Sequence, residues 1–226
     1  MTIENMAITS ATKHSSTLQA DWYFDFNSPY AYLQLEQFDC LPSNLEIHLR
    51  PIVFGALLGH WEHKGPAEIP EKRKHTYRYS QFRAEQLGIP FRMPPAHPFN
   101  PMPMLRLAIA MNSEKALIQK IFRYIWQAGN SMTTAEDWQN LCAHLDIKNA
   151  DELISQEEVK LQLRANTDRA IAQGVFGIPT FVVDGQLFWG EDATAMLLHH
   201  LAHPNWLESQ EVQRISNLPV GIVRKI

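Results

Sequence analysis

Apolar runs with strand character lie toward the two ends of the chain, and helical patterns fill the middle. Residues 22–26 (WYFDF) form a short aromatic-rich run and residues 45–50 (LEIHLR) alternate apolar with polar side chains, so each predicts a strand. Between them, Pro29 suits the first turn of a helix that ends near Cys40. A strand, a helix and a second strand within roughly 30 residues predict a βαβ unit.

The pattern changes after the second predicted strand. From about residue 52 to 173 helical periodicity dominates, and the best helix candidates are residues 103–112, 114–128, 134–144 and 156–173. Strand signals return at residues 180–184 and 186–189, joined by the hairpin signal Asp184-Gly185, before a last predicted helix over residues 192–202. This order predicts an α/β protein, namely a thioredoxin-like domain (βαβ plus ββα) with a large all-helical insertion.

The domain boundaries follow from these patterns. Residues 1–19 are small and polar, which predicts a disordered tail without the apolar core of a signal peptide. Residues 20–51 and 174–203 are assigned to the thioredoxin-like domain, residues 52–173 to the inserted helical domain, and residues 204–226 to a C-terminal extension. Six prolines between residues 90 and 103 predict a stiff, ordered loop within the insertion.

Composition and charge exclude several classes of function. With 24 acidic and 20 basic residues the net charge is −4, and the basic residues are scattered, so no nucleic-acid partner is expected. No apolar stretch approaches the roughly 18 residues of a membrane span, so we expect no membrane partner and a cytoplasmic protein.

The two cysteines exclude one chemistry. Cys40 and Cys142 show neither C-x-x-C nor metal-ligand spacing, so both are expected to be buried small hydrophobes and no metal site is predicted. A dithiol oxidoreductase is excluded unless the two thiols are adjacent and reactive.

Ser28 follows the first predicted strand, at the turn where thioredoxin-type folds usually carry redox cysteines. Serine followed by proline is also common at helix starts, so N-capping alone would explain it. The functional alternative is that the hydroxyl binds the thiolate of another molecule. A hydrogen bond to a charged partner contributes about 1.5–3 kcal/mol, close to the roughly 2.7 kcal/mol that lowers a thiol pKa by two units. Ser28 is the candidate catalytic residue, and glutathione is the candidate cofactor.

A loop about 150 residues later complements Ser28. Pro179 lies in residues 177–180 (GIPT), directly before a predicted strand. In thioredoxin-like folds such a proline is cis, and the free backbone of the preceding residue, here Ile178, pairs with a bound peptide such as glutathione. An ordinary loop before an edge strand is the alternative.

The turn before the last predicted helix contains Trp189, Gly190, Glu191 and Asp192. Its N–H groups and acids are candidates for binding the α-carboxyl and α-amino ends of glutathione. First-turn capping is the alternative role for the two acids.

Taken together, these segments resemble the 2-hydroxychromene-2-carboxylate isomerases, which are related to kappa-class glutathione transferases and DsbA-like proteins. The resemblance runs from about residue 21 to 201. The matching segments are residues 23–32, Arg50-Pro51 with Gly55, and residues 66–72, 88–92, 98–100 and 177–180.

This resemblance implies a function and a set of roles. Ser28 would bind the glutathione sulfur, and Ile178 with residues 189–192 would bind the rest of the tripeptide. The reaction would be cis–trans isomerisation of 2-hydroxychromene-2-carboxylate, or a similar unsaturated aromatic keto acid, by reversible conjugate addition of the thiolate. The resemblance also implies a homodimer.

The chain departs from the family pattern on the substrate side. Where family members carry an Asn-x-Pro-Pro segment, this chain has residues 63–66 (HKGP), a departure that bears on the substrate rather than on glutathione. His63, Lys64 and Arg50 are candidates for binding a carboxylate, although surface roles fit them too. The remaining candidates are Asn100 for substrate binding, His97 for proton transfer, and Phe91, Met93, Met102 and Met104 for an apolar slot or ordinary packing.

Two other functions stay open at this stage. A kappa-like transferase or peroxidase would consume glutathione, whereas an isomerase would return it. A non-catalytic binding protein of the same fold would hold a peptide beside Pro179, and its activity would survive Ser28→Ala.

Overall fold

A four-stranded mixed sheet organises the computed structural model, which describes residues 18–223. Its strand order is β2-β1-β3-β4, with β1 parallel to β2 and antiparallel to β3, and β3 antiparallel to β4. The strands are β1 (Leu18–Phe24), β2 (Leu45–Pro51), β3 (Thr180–Val183) and β4 (Gln186–Trp189). Parallel strands need a crossover connection, which α1 (Pro29–Leu35) supplies, so the predicted α/β fold is confirmed.

The first strand begins before its predicted start. Leu18 and Gln19, assigned to a tail, instead pair with Leu45 and Glu46 of β2. The strand extends this far because the Leu18 N–H donates to the carbonyl of Asn44. The rest of the predicted tail, residues 1–17, lies outside the described residues.

The segment between β2 and β3 contains helices and no strand. Four of its helices match predictions to within a few residues, whereas α2, α3 and α7 were not predicted. The helices of the segment are α2 (Phe54–His60), α3 (Pro70–Leu87), α4 (Met102–Ala110), α5 (Lys115–Phe122), α6 (Ala135–Leu145), α7 (Ala150–Ser155) and α8 (Glu157–Ala172). The final elements are α9 (Thr194–Ala202) and α10 (Gln210–Ser216).

The central strand β1 is buried on both faces. Trp22 and Phe24 point to the larger cluster, which includes Phe122 of α5, whereas Tyr23 packs with Ile52 on the opposite face. Successive side chains of a strand alternate between faces, so a central strand covered on both sides is apolar at nearly every position. This burial fixes the end of β1, from which the functional residues follow.

The two cysteines have different environments. Cys142 is buried on α6 as predicted, and burial raises the pKa of its thiol to about 11. The prediction for Cys40 is wrong because its side chain is exposed. α1 ends at Leu35, and the following 3-10 helix (Phe38–Cys40) places Phe38 in the core instead.

Within residues 18–223, none of the helices combines the length and the apolar character that crossing a bilayer requires.

Candidate functional site

A cavity of about 330 Å3 lies where β1 passes into α1. Two walls face it, and they come from different parts of the chain. The sheet wall consists of Asp25, Ser28 and Ile178, and the insertion wall consists of Phe54, Glu68, Tyr77, His97 and Met102.

Ser28 is the N-cap of α1. Its Oγ accepts the N–H of Ala31 at 3.1 Å, and its backbone is extended, with φ −96° and ψ 112°. The capping role is therefore present, but it uses only the oxygen as an acceptor. The hydroxyl hydrogen has no acceptor within the described part of the chain, so Ser28 can still donate one hydrogen bond to a ligand in the cavity.

Asp25 is a buried carboxyl group in the sheet wall, and it was not among the predicted site residues. Burial raises its pKa to about 6, although N–H groups of Asn27 and Phe54 donate to its two oxygens at 2.9 and 3.0 Å and act in the opposite direction. The bond to Phe54 joins the end of β1 to the start of α2. In the sequence, what indicates a role of Asp25 in the site is its position three residues before Ser28.

Ile178 meets the same cavity from the loop before β3. The Ile178–Pro179 peptide bond is cis, as thioredoxin-like folds led us to expect. Among the described residues, neither the N–H nor the C=O of Ile178 makes a hydrogen bond. A ligand with a peptide backbone therefore finds a free donor and a free acceptor beside Ser28.

The turn before α9 is attached to both of these elements. Gly190 N–H donates to the carbonyl of Pro179 at 2.8 Å, and its own carbonyl accepts from Gln34 Nε2 of α1 at 3.0 Å. Trp189 lies over Gly177, where a Cβ would stand 2.3 Å from its Nε1, so the contact requires glycine. Three segments that are far apart in the sequence thus meet at one place.

The two acids of this turn differ. Glu191 is buried, and its oxygens accept two hydrogen bonds from Arg83 of α3 at 2.9 and 3.0 Å and one from Gln37 at 3.0 Å. The Glu191 carboxylate, a predicted glutathione-binding group, therefore already has partners within the protein. Asp192 is exposed.

The insertion wall is attached to the sheet wall through Asn27. Its side chain donates to the carbonyl of Phe99 at 2.9 Å and accepts the N–H of Phe99 at 3.1 Å. His97 Nε2 donates to the backbone carbonyl of Asn27 at 2.7 Å, and its Nδ1 lies 2.9 Å from the hydroxyl of Tyr77. The proline-rich loop is therefore ordered, as predicted, and it is held one residue away from Ser28.

The predicted carboxylate-binding residues do not line the cavity. Arg50 pairs with the buried Asp21 at 2.8 Å, and Arg169 contacts the other oxygen of that carboxylate at 2.8 Å. Burial acts to raise the pKa of Asp21, but the two guanidinium groups outweigh it and hold this pKa below its usual value. His63 and Lys64 are exposed after the end of α2.

The other predicted substrate residues also have structural roles elsewhere. Phe91 stacks on Trp126 with the ring centroids 5.9 Å apart, and Asn100 accepts the N–H of Met102 at 3.1 Å. Of the methionines predicted to form a slot, Met102 lines the cavity, whereas Met104 is in the core. His97 lines the cavity as well.

The charge of the cavity limits what it can bind. Across residues 18–223, the charged side chains that line it are Asp25 and Glu68, and no lysine or arginine does so. Burial lowers the pKa of His97, so this ring is neutral at neutral pH. Among residues 18–223, the site is thus a largely apolar space in which the Ser28 hydroxyl is available as a donor and no lysine or arginine supplies a positive charge.

Known proteins provide an independent comparison. A family model described as a DSBA-like thioredoxin domain matches residues 19–202. The chain is 30% identical over 205 residues to glutathione S-transferase kappa 2 of Caenorhabditis elegans, across 81% of this chain and 91% of the relative. It is 26% identical over 193 residues to 2-hydroxychromene-2-carboxylate isomerase of Sphingobium xenophagum, across 82% and 98% respectively.

A solved structure extends the comparison to the fold. A 2-hydroxychromene-2-carboxylate isomerase superposes on the chain with a TM-score of 0.72 at 22% identity, covering 85% of this chain and 100% of that one. The resemblance and the fold predicted from the sequence are therefore confirmed.

Proposed function

The chain belongs to the family of DsbA-like thioredoxin domains, and on that premise we propose that it is a glutathione-dependent enzyme in which Ser28 stabilises the thiolate. The observation that carries this proposal is the Ser28 hydroxyl, which faces an apolar cavity with its hydrogen available for a ligand. A relative with 30% identity is a glutathione S-transferase, which supports glutathione as the source of the thiol.

The Ser28 hydroxyl acts on the ionisation of the thiol. A free thiol has a pKa of about 8.5, so only a few per cent of it is nucleophilic at neutral pH. A hydrogen bond to a charged acceptor contributes about 1.5–3 kcal/mol, which corresponds to about one to two pKa units. Ser28 therefore brings a substantial fraction of bound glutathione into the thiolate form.

The rest of the tripeptide lies along the peptide groove, which we define as Ile178, Pro179 and the turn of residues 189–192. The free N–H and C=O of Ile178 pair with the cysteinyl backbone of glutathione. The exposed carboxylate of Asp192 accepts hydrogen bonds from the ammonium group at the other end. Glu191 holds the turn in place through Arg83 rather than touching the ligand.

The electrophile occupies the apolar space between the two walls. Conjugate addition places negative charge on the substrate, and an acid substrate such as 2-hydroxychromene-2-carboxylate carries one charge already. Because no lysine or arginine among the described residues lines the cavity, we propose that an uncharged unsaturated aromatic compound is preferred over a carboxylate.

Two outcomes of the same addition define two candidate activities. If the adduct rotates about its new single bond and expels the thiolate, the protein is the cis–trans isomerase that the sequence predicted. If the adduct leaves intact, it is a kappa-like transferase. Because no lysine or arginine of residues 18–223 lines the cavity, the transferase is favoured for neutral electrophiles, and the isomerase is the candidate for keto acids.

Titration of reduced glutathione into the protein tests the thiolate claim. We expect binding accompanied by the ultraviolet absorbance of the thiolate at neutral pH, and loss of that absorbance with Ser28→Ala. Ser80→Ala is the matched control, because Ser80 is also buried but does not line the cavity, and its hydroxyl donates to the carbonyl of Thr76 within α3. Binding without thiolate in the wild-type protein would contradict the proposal.

Turnover separates the two activities. Benzylideneacetone, which is neutral, and benzylidenepyruvate, which is anionic, are incubated with substoichiometric enzyme and limiting glutathione. Consumption of glutathione indicates transfer, whereas isomerised product with glutathione returned indicates the isomerase. Glutathione binding with no turnover of either compound would favour the non-catalytic binding protein.

A further inference from the structure

The Tyr77–His97 pair lies on the insertion wall, opposite the thiolate site, and the proposed function does not yet use it. The Tyr77 hydroxyl lies 2.9 Å from both Nδ1 and the carbonyl oxygen of His97. Both residues line the cavity. The His97 ring also packs edge-on against Phe99 and Trp126, with centroids at 6.1 and 5.6 Å, so it is held in a fixed position.

The hydrogen bonds determine which ring nitrogen carries the hydrogen. Nε2 lies 2.7 Å from the carbonyl oxygen of Asn27. A carbonyl oxygen can only accept, so Nε2 carries the hydrogen and Nδ1 of the neutral ring is an acceptor. Tyr77 has one hydrogen for two acceptors, Nδ1 and the carbonyl oxygen of His97. It can therefore donate to Nδ1, and as a residue that lines the cavity it can accept a proton from a ligand there.

Resting on the proposed function, we propose that Tyr77 and His97 form a proton relay that receives the thiol hydrogen of bound glutathione and returns it to the adduct. The S–H bond breaks with its electron pair on sulfur, and the proton passes to the Tyr77 oxygen as the Tyr77 hydrogen passes to Nδ1. The ring becomes an imidazolium, with Nε2 still bonded to Asn27.

The return of the proton completes the reaction. The sulfur forms a bond to the β-carbon of the unsaturated substrate, and the C=C electron pair moves toward the carbonyl to form an enolate. The proton then returns from Nδ1 through Tyr77 to the α-carbon, which gives a neutral thioether. For isomerisation the same steps run backwards after rotation, and no oxidant or reductant is needed.

The charges around the relay are compatible with this role. The other titratable groups of residues 18–223 that line the cavity are Asp25, Tyr30 and Glu68. Burial raises the pKa of Tyr77, and the charge of Arg73 on the same helix acts to lower it. Burial disfavours the imidazolium, and the bond to Asn27 acts in its favour. A thiolate in the same cavity supplies the opposite charge only while glutathione is bound, so the relay takes up a proton when it is required.

A proton inventory tests the relay without any electrophile. Glutathione is titrated at about pH 6.5, two units below the usual thiol pKa, in buffers with different ionisation enthalpies. Calorimetry then gives the protons released per glutathione, and absorbance gives the thiolates formed. In the wild-type protein we expect fewer than about one proton released to the buffer for every three thiolates formed. In the Tyr77→Phe variant, the fraction of bound glutathione present as thiolate should fall several-fold, or each thiolate formed should be accompanied by one proton released to the buffer.

Two further variants serve as controls. Tyr79→Phe changes an exposed tyrosine of the same helix that does not line the cavity, so it should behave as the wild-type protein. Asp25→Asn tests Asp25 as the alternative acceptor of the thiol proton. If this change abolishes proton retention and Tyr77→Phe does not, Asp25 holds the proton and the relay is wrong.

A pH profile of turnover with benzylideneacetone provides a second readout. Removal of a general base typically lowers the rate by about 100-fold. With Tyr77→Phe we expect such a loss in kcat at about pH 6.5, and a smaller loss above about pH 9, where glutathione ionises without help and only the return of the proton to the α-carbon still lacks Tyr77. A deficit independent of pH would indicate a structural role and overturn the relay.

The failure modes are distinct. If the wild-type protein neither binds glutathione nor forms thiolate, the proposed function fails and the relay fails with it. If thiolate forms and one proton per thiolate is released in the wild-type protein and in Tyr77→Phe alike, the relay fails while the role of Ser28 stands.

Discussion

The sheet wall and the insertion wall border the same cavity, yet they are held in opposite ways. Ser28 and Ile178 are fixed by a cap and by a loop that directly precedes β3. Tyr77 and His97 are held across long sequence separations, since the loop of His97 reaches Asn27 from 70 residues away.

This difference shows where chemistry and selectivity are encoded. The sheet wall offers groups that any thiol tripeptide would use, namely a hydroxyl and a free peptide unit. The insertion wall supplies side chains without a fixed cation and shapes the space for the second reactant. Changes in the sheet wall should therefore act on glutathione, and changes in the insertion wall should act on the electrophile and the proton.

Gln34→Leu should destabilise the sheet wall more than the other substitutions discussed below. The buried Gln34 side chain accepts from Trp22 Nε1 and donates to Gly190 and Thr194, so its loss leaves buried partners unpaired. Each unsatisfied group costs about 1–3 kcal/mol, and we expect a loss of about 4 kcal/mol in the free energy of unfolding.

Urea unfolding measures this loss, and glutathione affinity should fall with it because the turn is no longer tied to α1. Gln37→Leu is the control: its side chain is only half-buried, and its effect should be less than half as large. Equal losses for both variants would mean that Gln34 has no special role in joining the three segments.

Asp25 joins the two walls through Phe54, and its ionisation should appear in stability. Its pKa of about 6 in the folded protein exceeds the usual 3.8, so the folded state retains the proton over a pH range in which the unfolded state has lost it. The free energy of unfolding therefore falls as pH rises from about 4 to 6, by up to about 3 kcal/mol, relative to Asp25→Asn.

Denaturant unfolding at several pH values checks this prediction. The difference between the wild-type protein and Asp25→Asn should be constant above about pH 7, since both states are then ionised. A difference that does not change between pH 4 and 7 would mean that burial does not raise this pKa.

Asn27→Ala should weaken the attachment of the insertion wall and leave the sheet wall unchanged. The variant loses two hydrogen bonds to Phe99, which should lower the free energy of unfolding by about 1–2 kcal/mol. We expect kcat/KM for benzylideneacetone to fall about tenfold, equivalent to about 1.4 kcal/mol, with glutathione affinity nearly unchanged.

Asn100→Ala is the matched control, because its side chain lies outside the cavity on the same loop and caps only the N–H of Met102. It should leave both activity and affinity unchanged. A parallel loss of glutathione affinity in Asn27→Ala would show that the two walls are not separable.

Lys64→Ala should have the smallest effect. Lys64 is exposed and does not line the cavity, and surface changes of this kind stay within about 0.5 kcal/mol. Steady-state kinetics with benzylidenepyruvate should therefore change less than twofold. A selective rise in KM for the anionic compound would restore Lys64 as a carboxylate-binding residue.

The strands could be predicted, and Ser28 and Ile178 could be singled out, because their signals are local. The aromatic run of β1, the serine and proline at the start of α1, and the proline before β3 each stand within a few residues of the element that they define. The missed α3 has no such signal, because only Ser80 and Ala84 of its 18 residues are buried. Other contacts hold it, such as Arg83 with Glu191, 108 residues apart.

The same reason explains why some contacts of the predicted site residues could not be foreseen. Arg50 and Glu191 have the chemistry of binding residues, but their partners Asp21 and Arg83 become visible only in the folded chain. Tyr77 could not be singled out from the sequence, because it lies on the unpredicted helix α3 and its partner His97 lies on a loop 20 residues away.

The position of Trp189 has an optical consequence. Its indole is 52% exposed above Gly177, beside the free peptide unit of Ile178, whereas Trp22 and Trp126 are fully buried. Collisional quenchers such as acrylamide reach Trp189 and the exposed Trp61, but not the buried rings. A tripeptide lying in the groove covers Trp189, so in a Trp61→Phe background the protection of tryptophan fluorescence from quenching reports occupancy of the groove without any added label.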